Sequence, residues 1–143
     1  MVAEAVTWLA VAFALAPVQA NCLPDAEVRA RAVEHGIPGA YSFAVVGSRE
    51  LTMGETACRR LARLVAKPRR TTQRRDDWVS FDVMALGHEV AHALGNEDEA
   101  GATCWSLGRM ARVLEYAGVK AERARRMRGR MAGMFGDVCV RGR

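Results

Sequence analysis

Ser80 to Ala117 reads SFDVMALGHEVAHALGNEDEAGATCWSLGRMARVLEYA, and the architecture of the whole chain turns on it. From Phe81 to Leu94 apolar residues recur at helical intervals, Ser80 stands where an N-cap belongs, and Gly95 stands where a helix takes its left-handed terminal residue. Asp98 caps a second helix that runs to Ala117 and stops at Gly118. The short link between them folds the two helices back on each other as an antiparallel pair. The first helix is apolar nearly all round, with Phe81, Met84 and Ala85 on one side and Val83, Leu86, Val90 and Leu94 behind, as befits an element at the centre of a domain.

Polar side chains in such a helix need a reason to be there. His88, Glu89, Val90, Ala91 and His92 form an HExxH pattern. Residues i and i+4 lie one above the other on a helix face, so both imidazoles can reach one divalent cation. Glu89 sits about 100° round the helix, a poor place for a third ligand but a good one for a base acting on a water molecule beside the metal. The bland reading makes both histidines satisfied core residues and Glu89 a surface charge. Two imidazoles with an intervening carboxylate in a buried helix would leave it several polar groups to pair.

A hydrolytic zinc site takes three protein ligands and keeps one position open. On the second helix Ala100, Cys104, Leu107, Ala111 and Leu114 make the apolar stripe, and Glu99 borders it together with Thr103 and Ser106. Glu99 is therefore the preferred third ligand, with Thr103 one turn on as a supporting partner and Asp98 as an N-cap. The competing spacing, HExxHxxGxxD, would put Asp98 on the metal instead. Both readings expect Zn2+, with His88 and His92 as ligands and Glu89 as catalytic base.

The segment His88 to Trp105, HEVAHALGNEDEAGATCW, resembles the small bacterial gluzincin-like metallopeptidases in which an HExxH helix is closely followed by a helix carrying Asp-Glu-Ala. More distantly it is similar to the HExxH…EA arrangement of the IrrE-like peptidase family. The resemblance implies zinc at His88, His92 and Glu99, Glu89 as base, and a peptide or protein substrate. It covers about twenty residues, and the gap from His92 to Glu99 is far shorter than in the large thermolysin-like enzymes. A metzincin-like reading through Asp98 lacks a Met-turn, because Met110 falls inside a continuing helix.

Outward from this pair, Ala26 to Glu34 reads as a helix closed by His35, Gly36 and Pro38. Tyr41 to Val46 and Leu51 to Met53 read as a hairpin turning at Gly47 and Ser48. Glu55 to Ala66 reads as a helix ended by Pro68, Lys67 to Asp77 as an exposed basic loop, and Ala121 to Met134 as a basic, Met-rich helix. The fold class is α+β, mainly helical, with the central HExxH helix packed on an antiparallel second helix beside a short β-hairpin. A strand such as Ala44 to Val46 could bind an extended peptide by edge pairing. Tyr41, Tyr116 or an arginine could donate to an oxyanion, with nothing to select among them.

The chain has 143 residues, half of them hydrophobic and about a quarter charged, the balance of one ordinary globular domain. Residues 1–20 are set apart, apolar from Ala5 to Val18 except for Thr7, with a small-residue site at Ala20. They read as a secretory signal peptide, leaving 21–143 as a single zinc-peptidase-like domain in a secreted or extracytoplasmic setting. Glu4, and the lack of Lys or Arg before the apolar run, count against that reading and keep a buried N-terminal helix or a membrane-resting segment as the minority alternative. Cys22, Cys58, Cys104 and Cys139 fit two disulfides in an oxidising compartment, with three possible pairings, or else four buried thiols in the cytoplasm.

A net charge of +5 admits a non-enzymatic reading, a basic module that grips nucleic acid or an anionic surface through Arg123, Arg125, Arg126, Arg128 and Arg130. Those arginines fall on more than one helical face and interleave with Met127, Met131, Met134 and Phe135. A solvated rim is the better reading, and nucleic acid is disfavoured as a partner. A non-catalytic zinc site is the remaining alternative.

Overall fold

The HExxH helix runs from Gln73 to Ala93 and carries the rest of the molecule on its sides. The computed structural model describes residues 1–34, 36, 40–69 and 73–141. In chain order these form α1 (Val2–Ala14), β1 (Gln19–Leu23), α2 (Asp25–Glu34), β2 (Ser42–Ala44), β3 (Glu50–Gly54), α3 (Glu55–Ala66), α4 (Gln73–Ala93), α5 (Glu99–Tyr116), α6 (Ala121–Phe135) and α7 (Asp137–Arg141). The mainly helical α+β class is as expected, with α4 packed on α5 and β2 paired antiparallel to β3.

The expected antiparallel helix pair is visible in its contacts. His88 faces Thr103, and the Ser106 hydroxyl donates to the Met84 carbonyl at 2.7 Å, so a step back along α4 meets a step forward along α5. Gly87 permits the close approach. A Cβ there would lie 2.2 Å from Ser106 Oγ and 2.6 Å from the Phe13 ring.

α4 starts earlier than the Ser80 cap expected from sequence. Ser80 is fully buried inside the helix, and its hydroxyl donates back to the Asp76 carbonyl. The segment expected as an exposed loop is helical from Gln73 because its charges have partners on α6: Arg123 grips the Asp76 carboxylate with two nitrogens and Arg130 pairs with Asp77. Residues 70–72 of that segment lie outside the described residues, as do His35 and Pro38 at the end of α2.

Strand β1 was not expected. It pairs in parallel with β3, Ala20 opposite Leu51, and makes a three-stranded sheet in the order β1-β3-β2. The boundary after Ala20 read as a cleavage site therefore lies within a strand. The apolar run before it forms α1, whose Val6, Leu9, Ala10 and Phe13 are all 0 % exposed in the main core. That core joins them to Leu51 and Met53 of the sheet, Leu61 of α3, Val83, Leu86 and Val90 of α4, Leu107, Met110 and Leu114 of α5, and Met127 and Met131 of α6. A smaller cluster of Val28, Ala32 and Phe43 seats α2 on the sheet. Among the described residues no helix is long and apolar enough to cross a membrane.

The four cysteines form two disulfides, Cys22–Cys58 tying β1 to α3 and Cys104–Cys139 tying α5 to α7. Such pairing suits an oxidising environment.

Candidate metal centre

Three donors converge where α4 meets the start of α5. His88 Nε2 lies 2.9 Å from Glu99 Oε2, His92 Nε2 lies 3.2 Å from Glu99 Oε1, and the two Nε2 atoms are 3.0 Å apart. Helical spacing brings the imidazoles together on one face as expected, edge to face at 4.6 Å, and Gly95, in the left-handed region at φ +113°, turns the chain so that α5 returns with Glu99 at its first position.

The far sides of both rings are occupied. His92 Nδ1 lies 2.6 Å from the Asn96 carbonyl, which can only accept, so that nitrogen carries the proton and Nε2 presents its lone pair. His88 Nδ1 is 2.9 Å from the Thr103 hydroxyl, the supporting partner expected from sequence. Burial and the neighbouring His92 ring hold His88 below the ordinary histidine range, which keeps it neutral and able to coordinate. Two imidazole nitrogens and a carboxylate thus meet at one spot with all three donor groups within 4.8 Å, an arrangement that a cation satisfies. Two nitrogens and a carboxylate are a donor set suited to zinc.

Asp98 does not join them. Its carboxylate caps α5, accepting from the Gly101 amide at 2.6 Å, and Met110 is a buried residue in the middle of α5 with no turn around it.

Glu89 sits beside the triad, 8 % exposed, with Oε1 accepting from the Ser42 hydroxyl at 3.0 Å. Burial pushes its carboxyl up to about 7, opposed by that hydrogen bond and by His92. The four groups face an open cleft of about 850 Å³, whose other wall is Ala40 and Ser42 to Val46, with Glu97 at its rim. Among the described residues neither Tyr41, Tyr116 nor any arginine lines it. Tyr116 instead stacks on Trp8 at 4.7 Å, and Tyr41 meets Phe81 edge-on.

Sequence reasoning missed Ser42 and the Asn96 carbonyl. A serine in a strand 47 positions from its partner carries no local signal, and a carbonyl carries none at all.

The chain matches no protein-family model, no curated protein and no solved structure, so its function has to be read from this centre. His88, Glu89 and His92 with Glu99 match the HExxH…E active site of gluzincin zinc peptidases.

Proposed function

We propose that this chain is a zinc-dependent peptidase in which His88, His92 and Glu99 hold the metal and Glu89 is the catalytic base. The observation that carries the reading is the convergence of both Nε2 atoms on the Glu99 carboxylate, with a buried glutamate alongside. Bound there, zinc supplies a Lewis acid that polarises a carbonyl and acidifies a water molecule. Glu89 takes the proton from the attacking water and returns it to the leaving amine, work suited to a carboxyl whose burial brings it near neutrality. The Asn96 carbonyl holds His92 in the tautomer that coordinates through Nε2, and Thr103 holds the His88 ring in place.

A peptide substrate fits the cleft wall. β2 lies at the edge of the sheet formed by the described residues, and Val45 and Val46 follow it, exposed, along the cleft. An extended chain laid against it gains main-chain hydrogen bonds next to the metal.

A purely structural zinc is disfavoured because structural sites are closed, whereas the Glu99 side chain is 79 % exposed to an open cleft. Four of the five arginines of the basic-module reading have partners within the chain. Arg123 and Arg130 pair with Asp76 and Asp77, Arg126 pairs with Glu122, and Arg128 donates to the Leu107 carbonyl. We place the domain in an oxidising, extracytoplasmic compartment on the strength of its disulfides, and we treat residues 2–23 as part of its folded core.

The test pairs zinc content with hydrolysis of a mixed peptide library. Wild type should hold zinc and cleave, and Glu89→Gln should hold zinc and lose cleavage by at least about a hundredfold. A zinc-loaded wild type that cleaves nothing in the library contradicts the proposal.

A further inference from the structure

We infer that Ser42 is the positioning residue of the catalytic base, its hydroxyl fixing one oxygen of the Glu89 carboxylate from the edge strand and leaving the other open to the cleft. The inference rests on the hydrolase reading above and adds to it a residue that the HExxH pattern does not contain.

A glutamate on a helix has three side-chain torsions, and the last, which sets the plane of the carboxylate, is soft. Nothing within the HExxH sequence restrains that plane. Ser42 Oγ lies 3.0 Å from Glu89 Oε1, and because an ionised carboxylate only accepts, the hydroxyl donates. Ser42 is 9 % exposed and Glu89 8 %, so both side chains are held largely out of bulk solvent. Glu89 Oε2 takes no hydrogen bond from the described residues. None of their buried side-chain nitrogens or oxygens lacks a partner, so that oxygen reaches the cleft.

The rest of the sheet holds the serine in place. Ser42 pairs with the buried Met53 across the hairpin, and the Phe43 side chain next to it anchors in the cluster under α2. At the other end of the hairpin the Gly47 amide donates to the His92 carbonyl at 2.9 Å and the Arg49 amide to the Ala93 carbonyl at 3.0 Å. Those carbonyls belong to the last turn of α4, where a helix has no internal donors left to offer. Gly47 and Arg49 both adopt positive φ, +76° and +60°, to reach them. The turn is thus bolted to the metal helix one turn beyond Glu89, and the strand it leads from brings the hydroxyl to the carboxylate. A strained non-glycine residue at such a turn marks a geometry held by its surroundings.

The test compares Ser42→Ala and Ser42→Thr, alone and in a Glu89→Gln background, using the full-length, zinc-loaded, disulfide-bonded chain. Ser42→Ala should keep its zinc and its KM within about twofold and lose about tenfold in kcat, with Ser42→Thr recovering most of the loss. In the Glu89→Gln background Ser42→Ala should cost nothing further, which a general structural defect would not reproduce. A second readout needs no turnover. In metal-free protein labelled with 13C at the glutamate carboxyl, the Glu89 resonance, assigned by its disappearance in Glu89→Gln, should move in Ser42→Ala and return in Ser42→Thr. Undiminished kcat in Ser42→Ala, an equal loss in both backgrounds, or an unmoved resonance overturns the inference. A wild type that cleaves nothing while the resonance behaves as expected instead overturns the hydrolase reading, leaving Ser42 as the holder of a buried carboxylate only.

Discussion

Replacing Phe13 by alanine tests whether the apolar N-terminal run belongs to the fold. Its ring is 0 % exposed, lies against the Gly87 backbone where α4 and α5 meet, and sits 6.2 Å from the Trp105 ring. Truncating a buried phenylalanine costs about 3–5 kcal/mol in lost transfer energy and cavity. For 143 residues an unfolding entropy of about 2.1 cal/mol/K per residue gives roughly 0.3 kcal/mol/K, so each kcal/mol lowers Tm by about 3 °C. The expected fall is about 10–15 °C, read by thermal denaturation of the metal-free, disulfide-bonded chain. Gly87→Ala supplies a cross-check, since its Cβ would meet the same ring. Part of its cost should vanish when Phe13 is already alanine, a coupling of about 1 kcal/mol. A Tm for Phe13→Ala within about 3 °C of wild type, or strictly additive effects, would refute the packing of α1 against the metal helix.

Glu89 should make the metal-free protein pH-sensitive. Burial raises its carboxyl from an ordinary 4.5 to about 7, so the fold favours the protonated form, and ionisation destabilises it progressively as pH rises through that window. The stability of Glu89→Gln relative to wild type should therefore grow by about 3 kcal/mol between pH of about 4 and about 8, measured by urea denaturation, and a flat difference would contradict the burial argument. Removing the Cys22–Cys58 bridge by double serine substitution frees a loop closed across 36 positions and should cost about 4 kcal/mol, about 12 °C in Tm. Zinc content of the folded variant should not change, because neither cysteine touches the centre; zinc loss below the melting transition would show that it does.

Legibility followed the range of the forces. The turn at Gly95, the Asp98 cap and the ligands His88, His92 and Glu99 all fall in the short stretch from His88 to Glu99 that joins α4 to α5, where periodicity and capping speak directly. The beginning of α4 was hidden because Gln73 to Asp77 has no apolar residue, and only Arg123 and Arg130, far along the chain, give Asp76 and Asp77 a reason to be helical. Residues 1–20 have the composition of a leader, and a run apolar on every side looks alike whether a translocation machinery or a protein core receives it. Strand β1 was invisible for a related reason: Gln19 to Leu23 alternates over only four residues and holds no β-branched or aromatic residue, and its place is set by pairing with β3.

Zinc content of the purified wild type, Glu99→Ala and Asp98→Ala tests the central claim most directly. The account predicts about one zinc per chain in wild type and Asp98→Ala and a strong loss in Glu99→Ala. Full retention in Glu99→Ala, or loss in Asp98→Ala of a chain that still folds, would contradict it.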